Sequence, residues 1–115
     1  MSDDCLFCKI IAGDIPSNKV YSDDEVYAFH DISPAAPVHI LVIPKNHIPA
    51  VIEAGSQDEG LLGRLILRAN EIAKQQGLAD DGFRYVINSG NYGGQTVSHL
   101  HLHILGGRQM TWPPG

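Results

Sequence analysis

The sequence predicts an α+β fold: a five-stranded antiparallel sheet carrying one long helix, with a second, short helix at the N-terminus. Three observations lead there. Five short segments have strand composition, one stretch alone carries a long apolar stripe of helical period, and the strand–helix–strand alternation that a parallel sheet requires is missing. At 115 residues, the chain has the size of one domain, taken as residues 1–115, and can bury a modest core without covalent staples.

Residues 4–12 place Leu6, Phe7, Ile10 and Ile11 on one helical face, with Asp3 or Asp4 as the cap and Gly13 at the end. Val20–Ser22 and Val26–His30 read as two strands joined at Asp23-Asp24, and the prolines between Ile32 and Pro37 mark a loop. His39–Ile43 is an almost continuous branched apolar run that ends at Pro44, as expected of a strand covered on both faces. From Asp58 to Gln76, a stripe of Leu61, Leu62, Leu65, Ile66, Ala69, Ile72 and Ala73 predicts the long helix, and Gly77 follows as its stop. Phe83–Asn88 and Ser98–Leu105 complete the sheet, with the glycine-rich Ser89–Gln95 as a hairpin connection.

Composition narrows the function. Apolar residues make up 43% of the chain, which favours a packed globule over disorder. A net charge of −5 with eight Lys and Arg argues against a nucleic-acid partner. No apolar run reaches membrane-spanning length and no signal-like segment follows Met1, so a cytoplasmic protein with no membrane association is expected.

The most informative segment is His99-Leu-His101-Leu-His103-Ile-Leu105. In a strand, alternate residues share a face, so three imidazoles project one way, about 6.6 Å apart at Cα, while Leu100, Leu102 and Ile104 enter the core. A merely solvated face is a poor account of half the chain's six histidines. Two chemical readings remain. His-x-His holds zinc in some hydrolases, and imidazole, mostly neutral at neutral pH, is also a good nucleophile toward phosphorus. The preceding Gly93-Gly94-Gln95-Thr96 favours the second, because glycines allow close backbone approach and the Gln95 and Thr96 side chains add neutral donors for phosphate oxygens.

These residues resemble the histidine-triad (HIT) family. Gly94-Gln95-Thr96 and Phe29-His-Asp-Ile-Ser-Pro34 also resemble that family, and the tail Gly106-Gly-Arg-Gln-Met-Thr-Trp-Pro-Pro-Gly115 is similar to its branch of histidine triad nucleotide-binding proteins. The resemblance covers essentially the whole chain. It implies a homodimer with the long helix at the interface and the tail, residues 106–115, contributing to dimer and active site. It also implies hydrolysis of purine nucleoside 5′-phosphoramidates, or acyl-adenylates, to AMP or GMP through a nucleotidyl-histidine, without an organic cofactor. By position, His101 is the nucleophile, while His103 and Thr96 hold the phosphate and assist the departing amine. His39 relays a proton, and His99 supports the site from its edge. Asp31 matches the ribose-binding acid. Phe7, Ile10, Phe29, His30, Ile32 and Leu41 match the base slot, Asn88 a polar contact, and Trp112 a residue reaching the partner's site. Thr96 departs from the Ser expected in this branch; its hydroxyl remains, but with fewer rotamers.

Cys5-x-x-Cys8 is half of a zinc site by spacing, and His47 and His99 would complete a Cys₂His₂ set. Some bacterial HIT proteins resemble this chain there and bind a structural zinc. Two buried reduced thiols, or a redox pair, are the competing readings of the residues.

Overall fold

In the computed structural model, which describes residues 4–115, the expected architecture is present with shifted boundaries. Helix α1 spans Leu6–Ala12 and is followed by strands β1 (Lys19–Ser22), β2 (Val26–His30) and β3 (Val38–Pro44). Two 3₁₀ turns, Val51–Glu53 and Ser56–Asp58, lead into the long helix α2 (Glu59–Gln75), and β4 (Arg84–Ile87) and β5 (Leu102–Gly106) close the chain. The sheet order is β1-β2-β3-β5-β4, with every neighbouring pair antiparallel. No helix among the described residues is long and apolar enough to cross a membrane.

The sheet is covered on two sides, and the period of two sorts residues between them. Val26, Ala28, Ile40, Val42, Leu100, Leu102 and Ile104 pack under α2 against Leu61, Leu65, Ala69, Ile72 and Ala73. Phe29, Leu41 and Ile43 face the other way, into a smaller cluster with Cys5, Phe7, Cys8 and Ile10 of the N-terminal segment. Central β3 is therefore buried on both faces, which is why its sequence does not alternate. Acid–base pairs fasten the rim of α2 to the β1–β2 turn. Arg64 holds Glu25 through two bonds of 2.6 and 2.8 Å, and Arg68 donates to Asp23 at 3.0 Å. Burial raises the Asp23 carboxyl, but the Tyr21 hydroxyl, the Glu25 and Val26 amides and Arg68 together hold it well below its usual range.

Four expectations are corrected. The α1 cap is Cys5, whose Sγ accepts from the Cys8 amide at 3.2 Å; Asp4 does not fill that role, and Asp3 lies outside the described residues. On α2, Ile66 is 43% exposed and Leu62 only partly buried, because the helix packs over one sheet face and its stripe is narrower than the apolar pattern. The last strand begins at Leu102, not Ser98. Its ladder with β3 ends at Val42–Leu102, where Pro44 two residues on has no N–H to offer, and the Leu100 amide bonds the Ile48 carbonyl instead (2.7 Å). The β4–β5 connection is consequently far longer than a hairpin turn. Elsewhere Gly13 (φ +85°) and Gly77 (φ +75°) end their helices in the left-handed conformation, as expected.

Ile104 is fully buried between β3, β4 and α2. Ile104→Ala should lower unfolding free energy by about 2–5 kcal/mol in urea titration, the cost of lost burial plus a cavity. A loss under about 1 kcal/mol would show that the sheet face collapses around the gap.

Candidate active site and metal centre

Beside α1 the sheet carries a cavity of about 270 Å³, walled by Leu6, Phe7, Ile10, Ile15, Pro16, Ser17, Phe29 and Leu41, with His30, Asp31 and Ile32 at one rim and Thr96, Val97, His101 and His103 at another. Phe7 is the hinge of this wall. Its ring lies edge-on to Phe29 (5.4 Å), His101 (5.1 Å) and His99 (5.9 Å). The three histidines do lie toward one side of the sheet, but that side is not open: His99 is fully buried and His101 nearly so. Only His103 belongs to the regular strand.

Each imidazole is anchored through one nitrogen, and the anchor decides the state of the other. His101 Nδ1 lies 2.7 Å from the His99 carbonyl, an acceptor only, so Nδ1 carries the proton and Nε2 keeps its lone pair. His39 Nδ1 accepts from the Ala35 amide at 3.0 Å, so its proton is on Nε2, which donates to His103 Nδ1 at 2.9 Å. His103 in turn carries its proton on Nε2. That N–H is buried with no partner among the described residues, a state costing about 1–3 kcal/mol until an acceptor arrives. The site thus presents a neutral nucleophilic nitrogen on His101 beside a donor on His103, ring centroids 5.0 Å apart. Asp31 caps the following turn through the Ser33 amide (2.7 Å) and sets its second oxygen 3.5 Å from His39 Nε2.

Burial, reinforced by repulsion from His101 and His39, holds His103 at about 4 against the pull of Asp31. Burial lowers His39 in the same direction, again opposed by Asp31. His39 and His103 are therefore neutral at neutral pH. Asp31, His39 and His103 also lie close enough to ligate a metal, but His39 Nε2 offers a proton where a ligand needs a lone pair.

On the other side of Phe7, Cys5, Cys8, His47 and His99 converge. Cys5 Sγ lies 3.2 Å and Cys8 Sγ 3.6 Å from His99 Nδ1, Cys8 Sγ lies 3.3 Å from His47 Nδ1, and the two Nδ1 atoms are 3.2 Å apart. A tetrahedron with zinc–sulfur bonds of about 2.3 Å and zinc–nitrogen bonds of about 2.0–2.1 Å has edges of roughly 3.3–3.8 Å. His99 Nε2 donates to the Pro44 carbonyl at 2.8 Å, which leaves the lone pair on Nδ1, facing both sulfurs. The four residues fit zinc; they would hold it, and it would tie α1 to the sheet. His99 thus serves two centres, its ring in this cluster and its carbonyl on His101.

Of the sequence-predicted residues, the structure brings Phe7, Ile10, Phe29, His30, Asp31, Ile32, Leu41, Thr96, His101 and His103 to one cavity and attaches His39 to it through His103. Ile32, 96% exposed, stands at the rim. Gly94, Gln95, Asn88 and Trp112 do not line it. The Gly94 amide is spent on the Asn91 carbonyl, and the Gln95 side chain braces its own loop through the Gly90 amide and the Pro49 and Val97 carbonyls. Neither is free to cradle a phosphate. Trp112, 81% exposed, lies in the tail, which Arg84 holds through the Thr111 carbonyl. Sequence reading missed Leu6, Ile15, Pro16, Ser17 and Val97; the Ile15–Ser17 segment is irregular, so no periodicity marks it.

Two measurements test these centres. His103 is harder to protonate folded than unfolded, so it stabilises the fold above its ordinary value of about 6.5 and progressively less as pH falls toward 4. The thermal midpoint should drop between pH 7 and 5, and His103→Gln should flatten that drop; parallel curves would refute it. Protein prepared without chelators should carry close to one zinc per chain, lost in Cys8→Ala together with several degrees of melting temperature. Less than about a tenth of an equivalent in the unaltered protein would exclude the metal.

The HIT domain family model matches residues 12–110. A 14 kDa zinc-binding protein of Brassica juncea is 53% identical over 114 residues, covering 97% of this chain and all of the relative. Among solved structures, a HIT family hydrolase from Legionella pneumophila superposes with a TM-score of 0.96 at 50% identity, covering 97% of this chain and all of that one. A histidine triad nucleotide-binding protein from Candida albicans gives 0.81 at 30% identity, over 96% and 83% of the two chains. With His101 and His103 at one cavity, His39 joined to it through His103, and matches running over nearly its full length, the chain belongs to the HIT domain family.

Proposed function

We propose that this protein is a nucleoside phosphoramidase, hydrolysing purine nucleoside 5′-phosphoramidates to an amine and AMP or GMP. The observation that carries the reading is the pair of opposite tautomers at the cavity: a lone pair on His101 Nε2 beside a proton on His103 Nε2. A nucleophile and a donor for a phosphate oxygen are what displacement at phosphorus needs, and the similarity to a solved HIT family hydrolase agrees with it.

In this reading the purine lies in the apolar slot between Phe7, Ile10, Phe29 and Leu41, with Asp31 accepting from the ribose hydroxyls. His101 Nε2 attacks phosphorus and forms a P–N bond. The bond from phosphorus to the amine breaks, and the amine leaves with a proton relayed from solvent water through the Thr96 hydroxyl, which is left protonated as before; the water of the second step returns that proton to solvent. The His103 N–H, backed by His39, holds the phosphate oxygen throughout. Water then cleaves the nucleotidyl-histidine, releasing the nucleoside monophosphate and restoring neutral His101. Acyl-adenylates are open to the same attack. The Cys5, Cys8, His47 and His99 centre holds a structural zinc that takes no part in these steps; the Brassica juncea relative is named for zinc binding.

Residues 1–115 act as one domain, and two copies pair through α2, where Ile66 and Leu67 are exposed. Trp112 of the tail then reaches the partner's site. The molecule works in the cytoplasm on small nucleotides.

His101→Ala should abolish turnover of adenosine 5′-phosphoramidate while AMP still binds. A mass shift of one nucleotidyl group on the unaltered protein, absent from the variant, should accompany it. Retention of more than a tenth of the rate would remove His101 from the role.

A further inference from the structure

The cavity has polar side chains at three places, and the proposed reaction uses two of them. Thr96, His101 and His103 stand at the phosphate end, and Asp31, given to the ribose, stands at a rim beside His30 of the base slot. The remaining polar side chain of the lining is Ser17, in the irregular segment between α1 and β1. Its wall neighbours there are Ile15 and Pro16, and nothing in the reaction requires it.

Ser17 is not a loose surface hydroxyl. Its Oγ lies 2.6 Å from the hydroxyl of Tyr27 on β2, and the Tyr27 ring packs against Phe29 of the cavity floor at 5.9 Å. A phenol is a stronger acid than an aliphatic alcohol, so Tyr27 donates and Ser17 Oγ accepts. That leaves the Ser17 proton as a donor free to turn toward the cavity. Its place along the sheet also matters. Tyr27 pairs with Ile43 on β3, and His103 pairs with Leu41 on β3 from the other side. Tyr27, whose hydroxyl holds Ser17 on that side of the cavity, therefore stands two strand spacings, roughly 9–10 Å, from the strand of the phosphate end. This is comparable to the reach of a nucleoside monophosphate from its phosphorus to its base.

We infer that Ser17, oriented by Tyr27, donates a hydrogen bond to an acceptor on the edge of the bound purine and is a base-recognition residue of this site. The inference rests on the nucleotide reading given above and deepens it. An apolar slot holds any flat ring by area, with weak discrimination, whereas a donor set in it rewards a ring nitrogen or carbonyl oxygen in register and penalises its absence. Adenine and guanine both carry such acceptors on their edges.

The test is AMP binding by calorimetry to the full chain, its Ser17→Ala and Tyr27→Phe variants, with 1-, 3- and 7-deaza-AMP and ribose 5-phosphate as probes. Ser17→Ala should weaken AMP about 3- to 10-fold, the worth of one neutral hydrogen bond, and leave ribose 5-phosphate unchanged. One deaza analogue should bind the unaltered protein more weakly by a similar factor, and Ser17→Ala should no longer distinguish it from AMP. Tyr27→Phe, which keeps the ring but frees Ser17, should weaken AMP in the same direction and covers the case of a misfolded Ser17 variant. Equal AMP affinity in all three proteins, or an equal loss for ribose 5-phosphate, would overturn the assignment while leaving the nucleotide reading intact. Failure of the unaltered protein to bind AMP at all would remove both.

Discussion

The bond from His101 Nδ1 to the His99 carbonyl, 2.7 Å long, constrains the chemistry of the whole site. A carbonyl can only accept, so the proton is kept on one side of the ring and the lone pair on the other. The same logic runs through the remaining rings. An amide fixes His39, His39 fixes His103, and the Pro44 carbonyl fixes His99. Four imidazoles in one small region would otherwise compete for protons. Burial favours the neutral form of His39, His99 and His103, and the partners brought up to each ring assign its acceptor or donor role.

That backbone is available because the chain leaves the sheet where it does. Had the last strand begun at Ser98, the His99 and His101 backbones would have been committed to the β3 ladder. Pro44 ends that ladder, and the segment before Leu102 bends to bond the loop after β3. The interruption looks like a local failure of regular structure. Its effect is to place one histidine ring among two cysteines and the next at a cavity, two residues apart in sequence.

Helix α1 is too short to be stable alone. It is held by two sets of contacts, Phe7 and Ile10 against the sheet and Cys5 and Cys8 beside His47 and His99. Because Phe7 lies edge-on to both His99 and His101, the metal centre and the cavity share a wall. The structural reason for the cysteine pair is thus the placement of that wall, and Cys5 doubles as the helix cap.

Much of this was written in local pattern. The stripe from Leu61 to Ala73 is a helix because its apolar spacing permits nothing else so long. The run from His39 to Ile43 is a doubly covered strand because it does not alternate. Three histidines at a spacing of two share a side wherever the chain is extended, and Cys5-x-x-Cys8 offers half of a metal-ligand set. Local pattern was silent where the partner is distant in sequence. It assigned the Gln95 amide to phosphate, but the amide is consumed by Pro49, Val97 and Gly90, partners that only loop packing supplies. It passed over Ser17, whose meaning comes from Tyr27 on another strand and a cavity that exists only once α1 is docked. The sequence by itself determined which side chains of the chemistry are present and on which face they lie. The tertiary structure decided which nitrogen of each ring carries the proton, because that depends on a carbonyl or amide brought up from elsewhere in the chain.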